Sequence, residues 1–217
     1  MSFNIHQKIT DVDGFRIEKV ARKYQEQLID LFVQSPEAQT VPYEGYQLGS
    51  WANIFMDFAI DYLGTTPTKM SQAEMQEILF DLFPRKLSSD PENAPGIIRE
   101  LRAFWEFLQR EFRLANAAAC LKVLDDNAAS KLERAMGNPS NFGIAKSMVM
   151  MGKARGFDMT SQEDLDAWTQ TYNAELAAGT GLPLPLPGDH SANARKVHDK
   201  IKRKMAKGSQ KKNRKKK

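Results

Sequence analysis

Apolar residues recur at intervals of three and four along most of this chain, and that spacing limits its fold more than any other feature. In an α-helix, side chains three and four residues apart share one face, so the spacing predicts helices with one buried stripe. The clearest stripe follows Pro95 and comprises Ile97, Leu101, Phe104, Trp105, Leu108 and Phe112. No segment shows the sustained alternation of a β-strand. The sequence therefore predicts an all-α fold of about seven helices.

One predicted helix is unusually apolar and carries a thin polar stripe. Ser50 is expected to cap this helix, which runs to Leu63. Asn53, Asp57 and Asp61 lie four residues apart and therefore share one face. This stripe is either the solvent edge of the helix or a carboxylate site for a metal or a general base.

Two capping boxes and a proline mark other helix ends. Ser71 and Glu74 form a capping box that begins one helix, and Pro84 is expected to end it. Thr160 and Glu163 have the same spacing and predict the start of a later helix.

The composition changes between Ala177 and His190, where the sequence reads AAGTGLPLPLPGDH. Glycines followed by prolines that alternate with leucine are typical of a semi-rigid extended linker. We therefore predict three parts: a helical domain over residues 1–178, a Pro/Gly linker over 179–190, and a basic helix with a disordered tail over 191–217.

Charge is divided unevenly between these parts. Residues 195–217 hold 13 of the 31 Lys and Arg residues and one acid, Asp199, so this segment has a net charge of +12. The rest of the chain keeps 18 basic and 26 acidic side chains, which gives −8. A partner meets the field of the segment and not the chain average, because charges act over about 8 Å at physiological salt. A polyanionic partner is expected for the tail.

The tail has the composition of a phosphate-binding segment. Lysine and arginine at this density neutralise phosphates without reading bases, and the tail has no aromatic residue to stack on a base. The residues predicted to bind nucleic acid are Lys200, Lys202, Arg203, Lys204, Lys207, Lys211, Lys212, Arg214, Lys215, Lys216 and Lys217. RNA or a ribosome-like surface ranks slightly ahead of DNA. Other interpretations remain open: a solvated tail, a tail docked on its own acidic domain, or an anchor on an acidic protein within a larger assembly.

Few residues favour catalysis. A small metal-dependent enzyme that uses Asp57 and Asp61 is the alternative, but helical-bundle metal sites usually add histidine ligands. The three histidines lie near the ends of the chain: His6, His190 and His198. We predict no cofactor and no metal.

The single cysteine, Cys120, excludes an intramolecular disulfide and multi-cysteine metal sites. Its alanine- and leucine-rich surroundings predict a buried thiol that packs as a small hydrophobe. No secretory signal and no apolar run of membrane-spanning length is visible. A cytoplasmic location without a membrane span is therefore expected.

Residues 138–168 carry the most distinctive motif, in which NFGIAKS precedes GFDMTSQEDL. We expect Lys146 and Ser147 to lie on a polar edge of their helix. Nearby methionines are expected to fill the core, although an adaptable partner groove is the alternative. They are Met148, Met150, Met151 and Met159.

This segment resembles an uncharacterised helical module of bacterial proteins, and the resemblance extends from Glu100 to Leu176. It implies a helical fold and a bacterial origin, but no activity. Together with the charge division, these features predict a non-enzymatic binding or adaptor protein. Its tail would attach to nucleic acid, and its helical domain would contact a protein partner.

Overall fold

The computed structural model describes residues 3–42 and 45–181. Within these ranges the regular structure is helical, apart from one isolated bridge between Thr10 and Arg16, so the predicted all-α class is confirmed. The α-helices are α1 (Glu18–Val33), α2 (Pro36–Gln39), α3 (Ser50–Asp57), α4 (Gln72–Glu77), α5 (Phe83–Lys86), α6 (Ala94–Phe112), α7 (Ala117–Leu121), α8 (Ala128–Gly137), α9 (Ile144–Ala154) and α10 (Gln162–Ala177). Two π-helical segments, Phe58–Leu63 and Ile78–Leu82, follow α3 and α4. Short 3-10 turns span Pro67–Lys69, Pro91–Asn93 and Pro139–Asn141.

The described residues divide into two compact units. The first unit contains residues 3–78 and 96–126, and the second contains residues 79–95 and 127–181. The sequence predicted one helical domain over residues 1–178. Because the predicted linker and tail lie almost wholly outside the described ranges, these domain limits stay a prediction.

The first unit has an aromatic core between α1, α3 and α6. Phe32 of α1 meets Phe104 of α6 edge to face, with ring centroids 5.2 Å apart. Phe55 of α3 contacts Trp105 in the same geometry at 6.4 Å. Such pairs add about 0.5–1.5 kcal/mol beyond the burial of their area. The predicted α6 stripe is therefore the centre of this core, and all of it except Phe112 is buried.

The predicted helix from Ser50 to Leu63 is present, but it changes register at Phe58, where the π-helical segment begins. It stops at Gly64, which has a φ of +64° that glycine adopts without strain. The predicted cap at Ser50 is wrong. Gly49 occupies the capping position at φ +91° and has no side chain that could cap the helix.

The prediction that Pro84 ends its helix is also wrong, because α5 continues to Lys86. Proline has no N–H to donate to the carbonyl four residues before it. The π-helical segment Ile78–Leu82 directly precedes α5 and widens the hydrogen-bond spacing there. The chain can therefore stay helical on both sides of Pro84.

Of the two predicted capping boxes, one is confirmed and one is displaced. The Ser71 hydroxyl accepts from the N–H of Glu74, whose carboxylate accepts from the N–H of Ser71. The second cap lies one residue later than predicted. Ser161, not Thr160, precedes α10 and accepts from the N–H of Asp164 at 3.5 Å.

The second unit has a core between α9 and α10 that depends on a glycine. Trp168 is fully buried, and its indole N–H donates to the Met148 carbonyl at 2.9 Å. A Cβ at Gly152 would lie 2.9 Å from Trp168 Cδ1 and 2.3 Å from Met159 Sδ. Helix α9 therefore approaches this core closely only because position 152 has no side chain.

We predict that Gly152→Ala destabilises the protein by about 1–3 kcal/mol, because the added methyl overpacks this core. Gly137→Ala is the matched control. Its Cβ would meet Pro91 at an ordinary 3.5 Å at the end of α8, so it should be neutral or stabilising. Urea unfolding of both variants measures the difference. Equal stability of the two variants would contradict the close approach.

Candidate functional site

The predicted nucleic-acid-binding residues, Lys200 to Lys217, all lie outside the described ranges, so their assignment stays a prediction. Two other groups of polar residues have a described geometry. One is the carboxylate stripe of α3 and its π-helical continuation, and the other comprises two separate buried residues, Glu100 in the first unit and Lys146 in the second.

The stripe lies along one polar cleft of about 340 Å³ in the first unit, where Asp57 and Asp61 face residues at the start of α1. Arg16 forms ion pairs with both Asp61 and Glu18. The side-chain amide nitrogen of Gln25 lies 2.6 Å from Asp57 Oδ1 and 3.0 Å from Asn53 Oδ1. Asp57 and Asp61 thus share a cleft, but each binds its own donor.

These contacts do not assemble a set of metal ligands. The Asp61 and Glu18 side chains are 47% and 63% exposed, so water screens both carboxylates. Over residues 3–42 and 45–181, no three His, Cys, Asp or Glu side chains lie close enough together to hold a metal ion. The cleft is a network of exposed ion pairs and hydrogen bonds.

We predict that Mg²⁺, Mn²⁺ or Zn²⁺ at 1 mM leaves the melting temperature of the protein unchanged. This concentration is about a hundred times the Kd of a site that binds metal with a Kd of about 10 μM. Binding at that excess would stabilise the folded state by about 2.7 kcal/mol. Asp57→Asn with Asp61→Asn is the control variant. A metal-dependent rise in melting temperature that this double variant lacks would support the enzyme alternative.

Glu100 is a buried acid in the middle of the apolar face of α6, with 3% of its surface exposed. Its Oε1 accepts from the N–H of Ala52 at 2.8 Å, and the N–H groups of Gly49 and Trp51 also donate to the carboxylate. Burial raises the pKa of the Glu100 carboxyl, and these three donors partly offset that rise. Glu100 therefore supplies the N-terminal cap that α3 lacks in its own sequence.

Lys146 is a buried base in the second unit, with 1% of its surface exposed. The predicted polar edge is therefore wrong for Lys146, and also for Ser147, which is 3% exposed. The Lys146 ammonium donates to the carbonyl of Pro84 at 2.9 Å and lies 3.5 Å from that of Met136. It also lies 4.2 Å from the centre of the Phe142 ring. Burial lowers the pKa of Lys146 to about 8.

The depressed pKa of Lys146 gives a pH-dependent stability with a defined sign. The unfolded chain keeps the proton up to its ordinary pKa of 10.5, so the folded state binds fewer protons between pH 8 and 10.5. The free energy of unfolding should therefore rise across that window, by up to about 3 kcal/mol, and this contribution should be flat below pH 8. Lys146→Met should lack the rise.

Lys153→Met, which removes an exposed lysine of the same helix, is the matched control and should keep the rise. Urea unfolding between pH 7 and 10.5 measures all three proteins. A parallel pH dependence in wild type and Lys146→Met would contradict the assignment.

One prediction about packing is confirmed, and a second is confirmed in part. Cys120 is fully buried, burial raises the pKa of its thiol to about 12, and it packs as a small hydrophobe. The core prediction for the methionines holds for three of the four: Met159 belongs to the core with Trp168 and Tyr172, and Met148 and Met151 pack against it with part of their surface exposed, whereas Met150 is not part of this cluster.

Comparison of the chain with protein-family models, curated proteins and solved structures found no match. The resemblance of residues 100–176 to a bacterial helical module thus stays a prediction. In the described part of the chain, no helix is long and apolar enough to cross a membrane.

Sequence reasoning missed Glu100, although a signal for it was present. Glu100 follows Ile97 by three residues and precedes Phe104 by four, so it lies on the apolar stripe. Lys146 follows Phe142 by four residues and precedes Val149 by three in the same way. A charge in register with an apolar stripe indicates a buried charge that needs partners.

Proposed function

We propose that this protein is a non-enzymatic adaptor whose basic C-terminal segment attaches to nucleic acid while its helical domain contacts a protein partner. One observation carries the proposal: residues 195–217 have a net charge of +12, whereas the other 194 residues have −8. Attraction to phosphates is thus concentrated in one segment, and the acidic remainder is repelled by the same polyanion.

The chemistry of the segment favours binding to the phosphate backbone over base recognition. Each lysine or arginine that contacts a phosphate releases a condensed counterion, so affinity depends steeply on salt and little on sequence. If all eleven basic residues from Lys200 to Lys217 bound duplex phosphates, log affinity would fall against log salt with a slope of about −10. RNA, including a ribosome-like surface, ranks slightly ahead of DNA.

A surface of α9 supports the second half of the proposal. Ile144 is 47% exposed, and Met148, Met150 and Met151 are partly exposed. Methionine side chains are flexible and polarisable, so they adapt to different partner surfaces. This is the surface where we place the protein partner.

We predict that replacing the eleven basic residues of Lys200 to Lys217 with glutamine abolishes salt-dependent binding to structured RNA and duplex DNA. The substitution keeps the length of the chain and removes only the charge. Fluorescence anisotropy over a salt series, with wild type and variant in parallel, measures the slope.

Polyglutamate is the control ligand. If wild type binds polyglutamate more tightly than RNA or DNA at the same salt concentration, the tail is an anchor for an acidic protein. Nucleic-acid binding that the glutamine variant retains would place the binding surface elsewhere and would refute the proposal.

A further inference from the structure

A small apolar cavity of about 210 Å³ lies over the start of α3 in the first unit. Val41, Pro42 and Leu48 form part of its wall, and the rings of Tyr46 and Trp51 form another part. The two ring centroids are 4.8 Å apart with an angle of 52° between the rings, so the rings pack against each other as a tilted pair, with Tyr46 the more exposed of the two. Ligand pockets for drug-sized molecules measure about 300–1,000 Å³. This cavity therefore suits a single small group.

Glu100 lines this cavity with its carboxyl group. Within residues 3–42 and 45–181, its hydrogen bonds come from backbone N–H groups, of which the Ala52 bond measures 2.8 Å. In the described part of the chain, no lysine, arginine or histidine pairs with it. A buried carboxylate without a counter-charge favours a cation in the space beside it, because low-dielectric surroundings strengthen the attraction.

We propose that this cavity binds an alkylated ammonium group, with Tyr46 and Trp51 contacting the cation through their ring faces and Glu100 supplying the opposite charge. Aromatic ring faces carry negative potential and attract cations, most strongly for tryptophan. The inference is independent of the proposed function of the tail, since it depends only on described residues.

The sparse hydrogen-bonding capacity of the cavity selects for alkylation. A primary ammonium has three N–H donors and a guanidinium has five, and each buried donor without an acceptor is unfavourable. Among the described residues that line the cavity, Glu100 is the one acid, and three backbone donors already occupy its carboxylate. A quaternary ammonium has no N–H to satisfy and presents methyl groups to the apolar wall. It therefore fits the lining better than an unmodified lysine or arginine.

The test is a titration of the full chain with tetramethylammonium chloride against sodium chloride at constant ionic strength. The readout is the indole N–H resonance of Trp51, assigned by its loss in Trp51→Phe. We expect saturable shifts with a Kd on the order of 1 mM. Choline should bind comparably. Its uncharged carbon isostere, 3,3-dimethyl-1-butanol, and ammonium chloride should each bind at least about tenfold more weakly.

Variants assign the binding to this cavity. Tyr46→Leu should weaken binding by about threefold to thirtyfold, which is the range of one cation–π contact. Tyr62→Leu is the matched control, because Tyr62 is also 41% exposed but does not line the cavity. It should bind tetramethylammonium as wild type does. Circular dichroism establishes that both variants are folded.

Equal affinity for choline and its uncharged isostere would overturn the proposal, as would equal weakening in both tyrosine variants. No shift of the Trp51 resonance at about 50 mM ligand would overturn it as well, since a single cation–π contact with charge pairing should be visible there. A peptide with trimethyllysine distinguishes the source of the group. Tighter binding of the peptide than of tetramethylammonium would identify a modified protein, and equal binding would identify a free small molecule.

Discussion

The first unit depends on a carboxylate that lies inside it. Moving an ionised carboxylate out of water costs several kcal/mol even after the protein relaxes. Each hydrogen bond to a charged group contributes about 1.5–3 kcal/mol to the stability of the fold. The three N–H groups of Gly49, Trp51 and Ala52 therefore offset the burial of Glu100, and they would otherwise be unsatisfied at the start of α3. Because Glu100 belongs to α6, the same contact fixes α3 against the aromatic stripe that forms the core.

In the second unit, a buried lysine pairs with backbone carbonyls, including one in the last turn of a helix. The last carbonyls of a helix lack N–H partners and carry partial negative charge. Met136 lies in the last turn of α8, and Pro84 lies in the short helix α5; the Lys146 ammonium binds the carbonyls of both. Each unit thus buries one charge that joins segments distant in sequence. Removing either charge would leave backbone groups without partners.

The helices could be predicted from the sequence because a helix that buries one face needs apolar residues at spacings of three and four. In α6 this spacing alone identified the face that lies in the core. It did not predict the π-helical register after Asp57, since a segment that is apolar on nearly every side has no single stripe to follow. Pro84 was misjudged for a related reason. The rule that proline ends a helix assumes α-helical hydrogen bonding, and the preceding turn has a different spacing.

Glu100 and Lys146 were missed because amphipathic patterns assign charges to solvent by default. Their partners are backbone groups, which have no signature in the residue types of a single sequence. The carboxylate stripe illustrates the converse, since the spacing of Asp57 and Asp61 correctly placed them on one face but could not reveal Gln25 and Arg16 as their partners. Those contacts join α3 and its π-helical continuation to residues some 30 to 45 positions earlier, and contacts over such distances along the chain depend on tertiary packing.

The two proposed binding modes depend on different kinds of electrostatics. The lysines of the tail would bind phosphate through water and mobile ions, so rising salt would weaken that attraction. The Glu100 carboxylate lies in an apolar wall, where salt screens it much less and desolvation dominates instead. A polyanion held by the tail would be repelled by the acidic remainder of the chain, whereas the proposed cation would be attracted to the cavity. The charge division along the chain therefore favours different ligands for the tail and for the cavity, so neither should displace the other.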